Sequence, residues 1–189
     1  MKELKRENIE RFLTAAQAFC DICLDESQRG RQLWAKEVQR RLTYVFAHWL
    51  ELKAPDSACP HTIPLVNDEQ RKKVWNRVAR RTAPYNSYWT VLESITPLGE
   101  NTPSCEIGSL EDDLADVFVF LKSGLESSSR DAEDAVLYWT EPSLRMHFTR
   151  HTLSALRVLA ECAAVEDEDP SLPRPCKRDE PSCGGSGRL

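Results

Sequence analysis

A chain of 189 residues, 41% hydrophobic and 29% charged, has enough apolar residues to bury a core, which excludes disorder throughout. Its formal net charge of −5 argues against a general nucleic-acid binder while leaving room for a local basic patch. No apolar run approaches the roughly 18 residues that a membrane span needs, and the opening "MKELKRENIERFL" lacks the apolar centre of an export signal. The expectation is a cytoplasmic protein with no membrane partner.

The first element is a helix whose apolar face is Ile9, Phe12, Leu13, Ala16, Phe19, Cys20 and Cys23, recurring at steps of three and four. The run Gln28-Arg29-Gly30-Arg31 breaks it. A second helix carries Leu33, Val38, Leu42, Val45, Trp49 and Leu52, and stops before Pro55 because the residue before a proline is pushed out of the α region. The loop "PDSACPHTIPLVND" ends in Asn67 and Asp68, good N-caps for a third, basic helix, "EQRKKVWNRVARR".

"YNSYWTVLESITP" is ambiguous between a short helix and an extended aromatic wall, and no strand shows a convincing alternating pattern. The loop "LGENTPSCEIG" leads to Ser109, which with Asp112 resembles a capping box. The helix of residues 109–125 follows, with Leu110, Leu114, Val117, Leu121 and Leu125 as its core stripe and Phe118 beside them. A short helix precedes a final one that begins near Pro142, tolerated in a first turn, and ends near Cys162. Residues 165–189 are rich in charge, proline and glycine. They hold too little apolar surface to offset their ordering entropy, and read as a disordered tail. The expected fold is therefore all-α, a single-domain bundle of five or six helices over residues 1–164.

Seven cysteines are an odd number at unrepeated spacings, which points to reduced thiols rather than a disulfide framework. Cys20-Asp21-Ile22-Cys23 could join Cys59-Pro60-His61 in a zinc site. The first pair, however, falls mid-helix in a core stripe, where free cysteine packs as a small apolar residue. Cys176 and Cys183 read as exposed thiols of the tail. Trp49, Trp75 and Trp89 sit near periodic apolar residues and are expected in the core, whereas Trp34 and Trp139 flank helix ends and are expected to be partly exposed.

Chemistry concentrates in two helices. At about 100° per residue, Asp112 and Asp116 point away from the core stripe of their helix and Asp113 sits at its edge. Glu111 and Asp112 suit a helix N-terminus electrostatically. On the final helix, His147 and His151 share the face of Leu144, Phe148, Ala155, Val158, Leu159 and Cys162. Histidines there must satisfy their ring nitrogens. Asp113 is the first choice of partner and Asp116 the second, with Arg150 able to pair with the other carboxylate. The cluster Asp113, Asp116, His147, Arg150 and His151 reads first as a buried polar network fixing helix register. The sharper alternative is a divalent metal held by Asp113, Asp116, His147 and His151, and a metal-free acid–base pair is a third.

Two surfaces complete the candidates. Val119 and Phe120 lie off the main stripe, so they are either covered by another helix or part of a self-association or partner surface. Lys73, Arg77 and Arg80 share a face that could hold an anion, although such a stripe is more often solvated.

The stretch "GSLEDDLADVFVFLKSGL", preceded by "YNSYW" and followed by "WTEPSLRMHFTRHTLSALRVLAE", is similar to a family of uncharacterised bacterial helical proteins, a domain of unknown function. The resemblance covers residues 85–162 well and the first two helices loosely. It implies a compact helical fold and no assigned activity. Where this chain has Val119 and Phe120, members of that family are polar. The absence of a nucleophile motif, a phosphate loop or a nucleotide fingerprint favours a non-catalytic interaction or regulatory module with no cofactor. The alternative is a metal-assisted or acid–base hydrolase using the Asp/His cluster.

Overall fold

The computed structural model of the chain describes residues 2–27, 30–54, 66–84, 86–91, 105–129 and 132–164. Six helices stand among them: α1 (Lys2–Leu24), α2 (Arg31–Leu50), α3 (Asp68–Thr82), α4 (Leu110–Ser128), α5 (Ala132–Thr140) and α6 (Pro142–Ala164). The expected disordered tail, Cys59 with His61, and Cys176 with Cys183 lie outside the described residues. Among the described residues, no helix is long and apolar enough to cross a membrane.

Two strands, β1 (Ser87–Val91) and β2 (Cys105–Ser109), pair antiparallel with Ser87 opposite Ser109 and Trp89 opposite Ile107. This ribbon corrects the reading that found no strand. Its alternation is hidden because Tyr88 and Trp89 are adjacent aromatics on opposite faces, and Gly108 contributes no side chain to the pattern. Trp89 and Ile107 point outward at 69% and 68% exposure, so Trp89 is not in the core.

Local sequence sets the helix starts. Asn67 Oδ1 accepts the Gln70 amide at 2.9 Å and Ser109 Oγ accepts the Asp112 amide at 3.1 Å, each satisfying a donor the helix leaves unpaired. Ser109 closes β2 and caps α4 at once, and the Leu110 amide donates to Asn86 O at 2.8 Å. The ribbon is thereby joined to the start of α4.

Helix α4 packs against α1, α3, α5 and α6, while α2 lies on α1 and α6. Its stripe of Leu110, Leu114, Val117, Phe118 and Leu121 is buried. At its C-terminal half, Gly124 faces the Trp139 indole so closely that a Cβ would lie 2.1 Å from Cε2. A glycine in a helix interior costs about 1 kcal/mol relative to alanine; here it makes room for a ring. Trp139 donates from Nε1 to Phe120 O at 3.3 Å, and Trp49 donates to Trp139 O at 2.9 Å. Trp139 and Trp34 are fully buried, contrary to the expectation of partial exposure, because helix ends in this bundle are themselves covered. Trp75, expected in the core, is exposed.

Phe120 is covered. Its ring stacks on Phe148 at 4.5 Å and on Tyr138 at 5.4 Å, and Val119 packs against the core at intermediate exposure. The self-association surface is thus not available to Phe120. Cys20 and Cys23 are buried, and burial pushes the Cys20 thiol up to about 12, as befits packed, protonated thiols.

Candidate metal centre

The acids of α4 open a site because its first two turns meet three different neighbours. Asp112 and Asp116, one turn apart, face α3. There Arg71 donates from Nη2 to Asp112 Oδ1 at 2.6 Å and from Nη2 and Nε to Asp116 Oδ1 at 2.8 and 3.0 Å. Asp112, expected to point to water, is therefore held by a guanidinium. Glu111, expected to serve only the helix start, is buried, and its Oε1 accepts from Asn86 Nδ2 at 2.9 Å.

Asp113, only 5% exposed, faces the ribbon and α6 together. Its Oδ1 lies 2.7 Å from His151 Nδ1, and its Oδ2 accepts from the Tyr88 hydroxyl. An ionised carboxylate only accepts, so His151 carries its proton on Nδ1 and turns Nε2 outward. The hydrogen bond to Asp113 raises the His151 pKa above its ordinary 6.5 against the opposing effect of burial. Burial and the Asp113 contact raise the Tyr88 pKa, so its hydroxyl remains a donor at neutral pH. Tyr88 reaches Asp113 by lying across Gly108, where a Cβ would come within 2.6 Å of the ring.

His147, one turn before His151, is 53% exposed at the side chain, less buried than its place in an apolar stripe predicts. Burial and the neighbouring His151 lower its pKa. The two imidazoles meet edge to face with centroids 4.4 Å apart. Asp116 Oδ2 lies 3.8 Å from His147 Nε2 and 3.6 Å from His151 Nε2. These distances exceed a hydrogen bond. Two imidazoles and a carboxylate thus stand close together with no hydrogen bond from either ring to Asp116. One potential ligand atom from each of Asp116, His147 and His151 lies within 4.8 Å of the others.

Four of the five expected cluster members thus meet. Asp113 stands behind His151 instead of among the converging atoms, and Arg150 leaves the cluster for Glu106 of β2, 2.7 Å away. Arg150 can do so because α6 runs beside the ribbon, where Arg157 also donates to Trp89 O at 2.9 Å. Sequence reasoning missed Arg71 and Tyr88. For Arg71 the available signal was its place in the first turn of the basic helix, while Tyr88 sat in the unassigned aromatic stretch. Of the basic trio Lys73, Arg77 and Arg80, Lys73 and Arg80 are exposed whereas Arg77 is largely covered. Lys73 pairs with Glu69 at 3.2 Å, Arg77 is 15% exposed beside Glu26, and Arg80 donates to Asn76 O.

Beside the centre, a cavity of about 350 Å³ is lined by Trp75, Tyr88, Glu106, Asp113, Arg150 and His151 among others. Chemically, the arrangement offers an oriented imidazole, a second imidazole and a one-oxygen carboxylate. Three carboxylates (Asp112, Asp113, Asp116) stand against the single guanidinium of Arg71, an excess of formal negative charge around the two histidines.

Residues 3–164 match the family described as "Domain of unknown function (DUF5063)", and the chain belongs to that family. No match was found among curated proteins. Among solved structures, the crystal structure of protein BF1032 from Bacteroides fragilis superposes with a TM-score of 0.67 and 15% identity, covering 87% of this chain and 96% of that one. At that identity the likeness is one of fold alone.

Proposed function

We propose that this domain binds one divalent transition-metal ion through Asp116 Oδ2, His147 Nε2 and His151 Nε2, with Asp113 and Tyr88 orienting His151 from behind. The observation that carries the reading is the pair of hydrogen bonds that hold Asp113. They commit Nδ1 of His151 to donation and leave its Nε2 lone pair facing Asp116 and His147. A carboxylate behind a ligating histidine fixes its tautomer and raises its basicity. For metal–ligand bonds of about 2.0–2.1 Å, tetrahedral ligand atoms stand about 3.3–3.4 Å apart. The 3.6 and 3.8 Å separations lie slightly beyond that spacing, and the ligand atoms of the two histidines lie within 4.8 Å of each other.

Such a centre gives chemical content to a non-catalytic interaction or regulatory module, in which the ion clamps α4 to α6. Metal-assisted or acid–base hydrolysis is the second reading. It is supported by the cavity that ends at Asp113 and His151 and by the coordination positions that three protein ligands leave open. Titration of chelator-treated protein with Co²⁺ tests the first reading, using the visible spectrum and total metal analysis. One ion per chain is expected in the parent and none in His151→Ala or Asp116→Ala. A folded parent that binds no ion at micromolar concentrations refutes the reading. Turnover of chromogenic ester or phosphoester probes by the loaded parent, lost in the same variants, would move the assignment to hydrolysis.

A further inference from the structure

We infer that Arg71 sets the metal preference of this centre by restricting Asp116 to a single ligand oxygen. The inference rests on the metal reading above and deepens it. The two oxygens of Asp116 serve different partners. Oδ1 takes two N–H groups from Arg71, at 2.8 and 3.0 Å, and Oδ2 alone faces His147 and His151. A guanidinium is a rigid planar fork that stays charged throughout the accessible pH range, so Oδ1 is not available for bidentate coordination.

The same Nη2 of Arg71 holds Asp112 Oδ1 at 2.6 Å. Asp112 and Asp116 lie one turn apart on the same face of α4. Without Arg71 they would present up to four oxygens on that face, the kind of donor set that hard cations use. Ca²⁺ takes six to eight oxygens and Mg²⁺ demands octahedral oxygen ligation. With Arg71 in place the donors are two imidazole nitrogens and one carboxylate oxygen, a set that suits Zn²⁺, Co²⁺ or Ni²⁺. Arg71 is thus a specificity-determining residue that touches no ion itself. It enters α3 four residues after the Asn67 cap, where the first turn projects it onto α4.

The preference between two ions separates this role from a general charge effect. Removing a cation strengthens binding of every divalent ion by a similar factor, whereas freeing oxygens favours the hard ions selectively. The test uses the full chain, stripped with chelator and titrated with Zn²⁺ and Mn²⁺ by calorimetry, in the parent, Arg71→Met and Arg71→Lys. The parent is expected to prefer Zn²⁺ strongly. Arg71→Met is expected to reduce the Zn²⁺-to-Mn²⁺ affinity ratio at least tenfold, chiefly through tighter Mn²⁺ binding. Arg71→Lys keeps the charge but loses the fork, and is expected to fall between the two. Should Arg71→Met fail to fold, as judged by circular dichroism, Arg71→Lys carries the same comparison. An unchanged ratio in a folded variant of a parent that binds Zn²⁺ overturns the role of Arg71 and leaves the metal centre standing. A parent that binds neither ion overturns both.

Discussion

The two ends of helix α4 have opposite chemistry. Its C-terminal half, from Phe120 onward, meets rings: Trp139 over Gly124, and Phe148 and Tyr138 against Phe120. Its N-terminal half meets a guanidinium, a phenol and two imidazoles through Asp112, Asp113 and Asp116. The first region is dry and close-packed, so its atoms contribute chiefly through burial and fit. The second holds carboxylates whose desolvation is offset by specific partners, so it adds little net stability while fixing geometry. Stability and chemistry are therefore separable along one helix, although both depend on the same backbone.

The hardest blow to the dry end is Trp139→Ala, which empties an indole site walled by Phe12, Gly124 and Phe120. We expect a loss of about 3–5 kcal/mol in denaturant unfolding. Any variant that remains folded should still titrate with metal. Loss of metal binding in such a folded variant would break the separation.

At the polar end, Asp113→Leu should cost about 1–3 kcal/mol, because it leaves the Tyr88 hydroxyl and His151 Nδ1 without an acceptor in a buried place. Asp113→Asn should cost clearly less, since its amide oxygen still accepts one of those bonds. Its metal affinity should nevertheless fall about 10–100-fold through loss of the carboxylate behind His151. Equal destabilisation by Leu and Asn would show that charge, not the hydrogen bonds, holds this end together.

Gly108→Ala sharpens the comparison further. The new Cβ would meet Tyr88 Oη at 2.8 Å and its ring at 2.6 Å, so the phenol must swing away from Asp113. We expect about 1 kcal/mol of destabilisation, of the size seen when a single hydrogen bond is lost. A measurable drop in metal affinity should accompany it, although the residue is no ligand.

The smallest effect is one of pH, in metal-free protein. Asp113 stabilises the His151 imidazolium, so its folded pKa lies above the ordinary 6.5. Stability from that pair is fully present below 6.5 and is lost as pH rises through the raised folded value. His147 runs the other way. Burial and His151 hold its pKa below 6.5, so its contribution is lost as pH falls through that lowered range. Together they place a stability maximum near 6.5 that falls away on either side, and proton NMR should see the rings titrate on opposite sides of 6.5. With Asp113→Asn, His151 should move down, because burial is then opposed only by the charges of Asp116 and Asp112.

Much of this was legible in the sequence wherever the deciding contact is local. The caps at Asn67 and Ser109, the Leu110–Leu121 stripe and the start at Pro142 follow from spacing alone. So does the presence of His151 on the core side of its helix, from which a carboxylate partner at the edge of the α4 stripe is a short step. What stayed hidden depends on how elements dock. Arg71 rather than Lys73, Arg77 or Arg80 meets the acids because α3 lays its first turn, not its last, on Asp112 and Asp116. Arg150 goes to Glu106 because a ribbon with no readable alternation lies beside α6. Trp34 and Trp139 sit near helix ends, and nothing in a single helix tells whether a neighbour covers such an end.

The span of the site contacts along the chain carries a consequence for how the protein is made. Arg71 reaches Asp116 across 45 residues, Asp113 reaches His151 across 38, and Tyr88 reaches Asp113 across 25. Contacts so distant in sequence form only after loop closure, which makes them late events in folding. Chain synthesis runs from the N-terminus, so the three aspartates and Arg71 are available well before either histidine. A nascent chain lacking α6 already holds Arg71 and its carboxylates but neither His147 nor His151. The guanidinium is thus made before the imidazoles, and the site is complete in composition only once α6 has been synthesised.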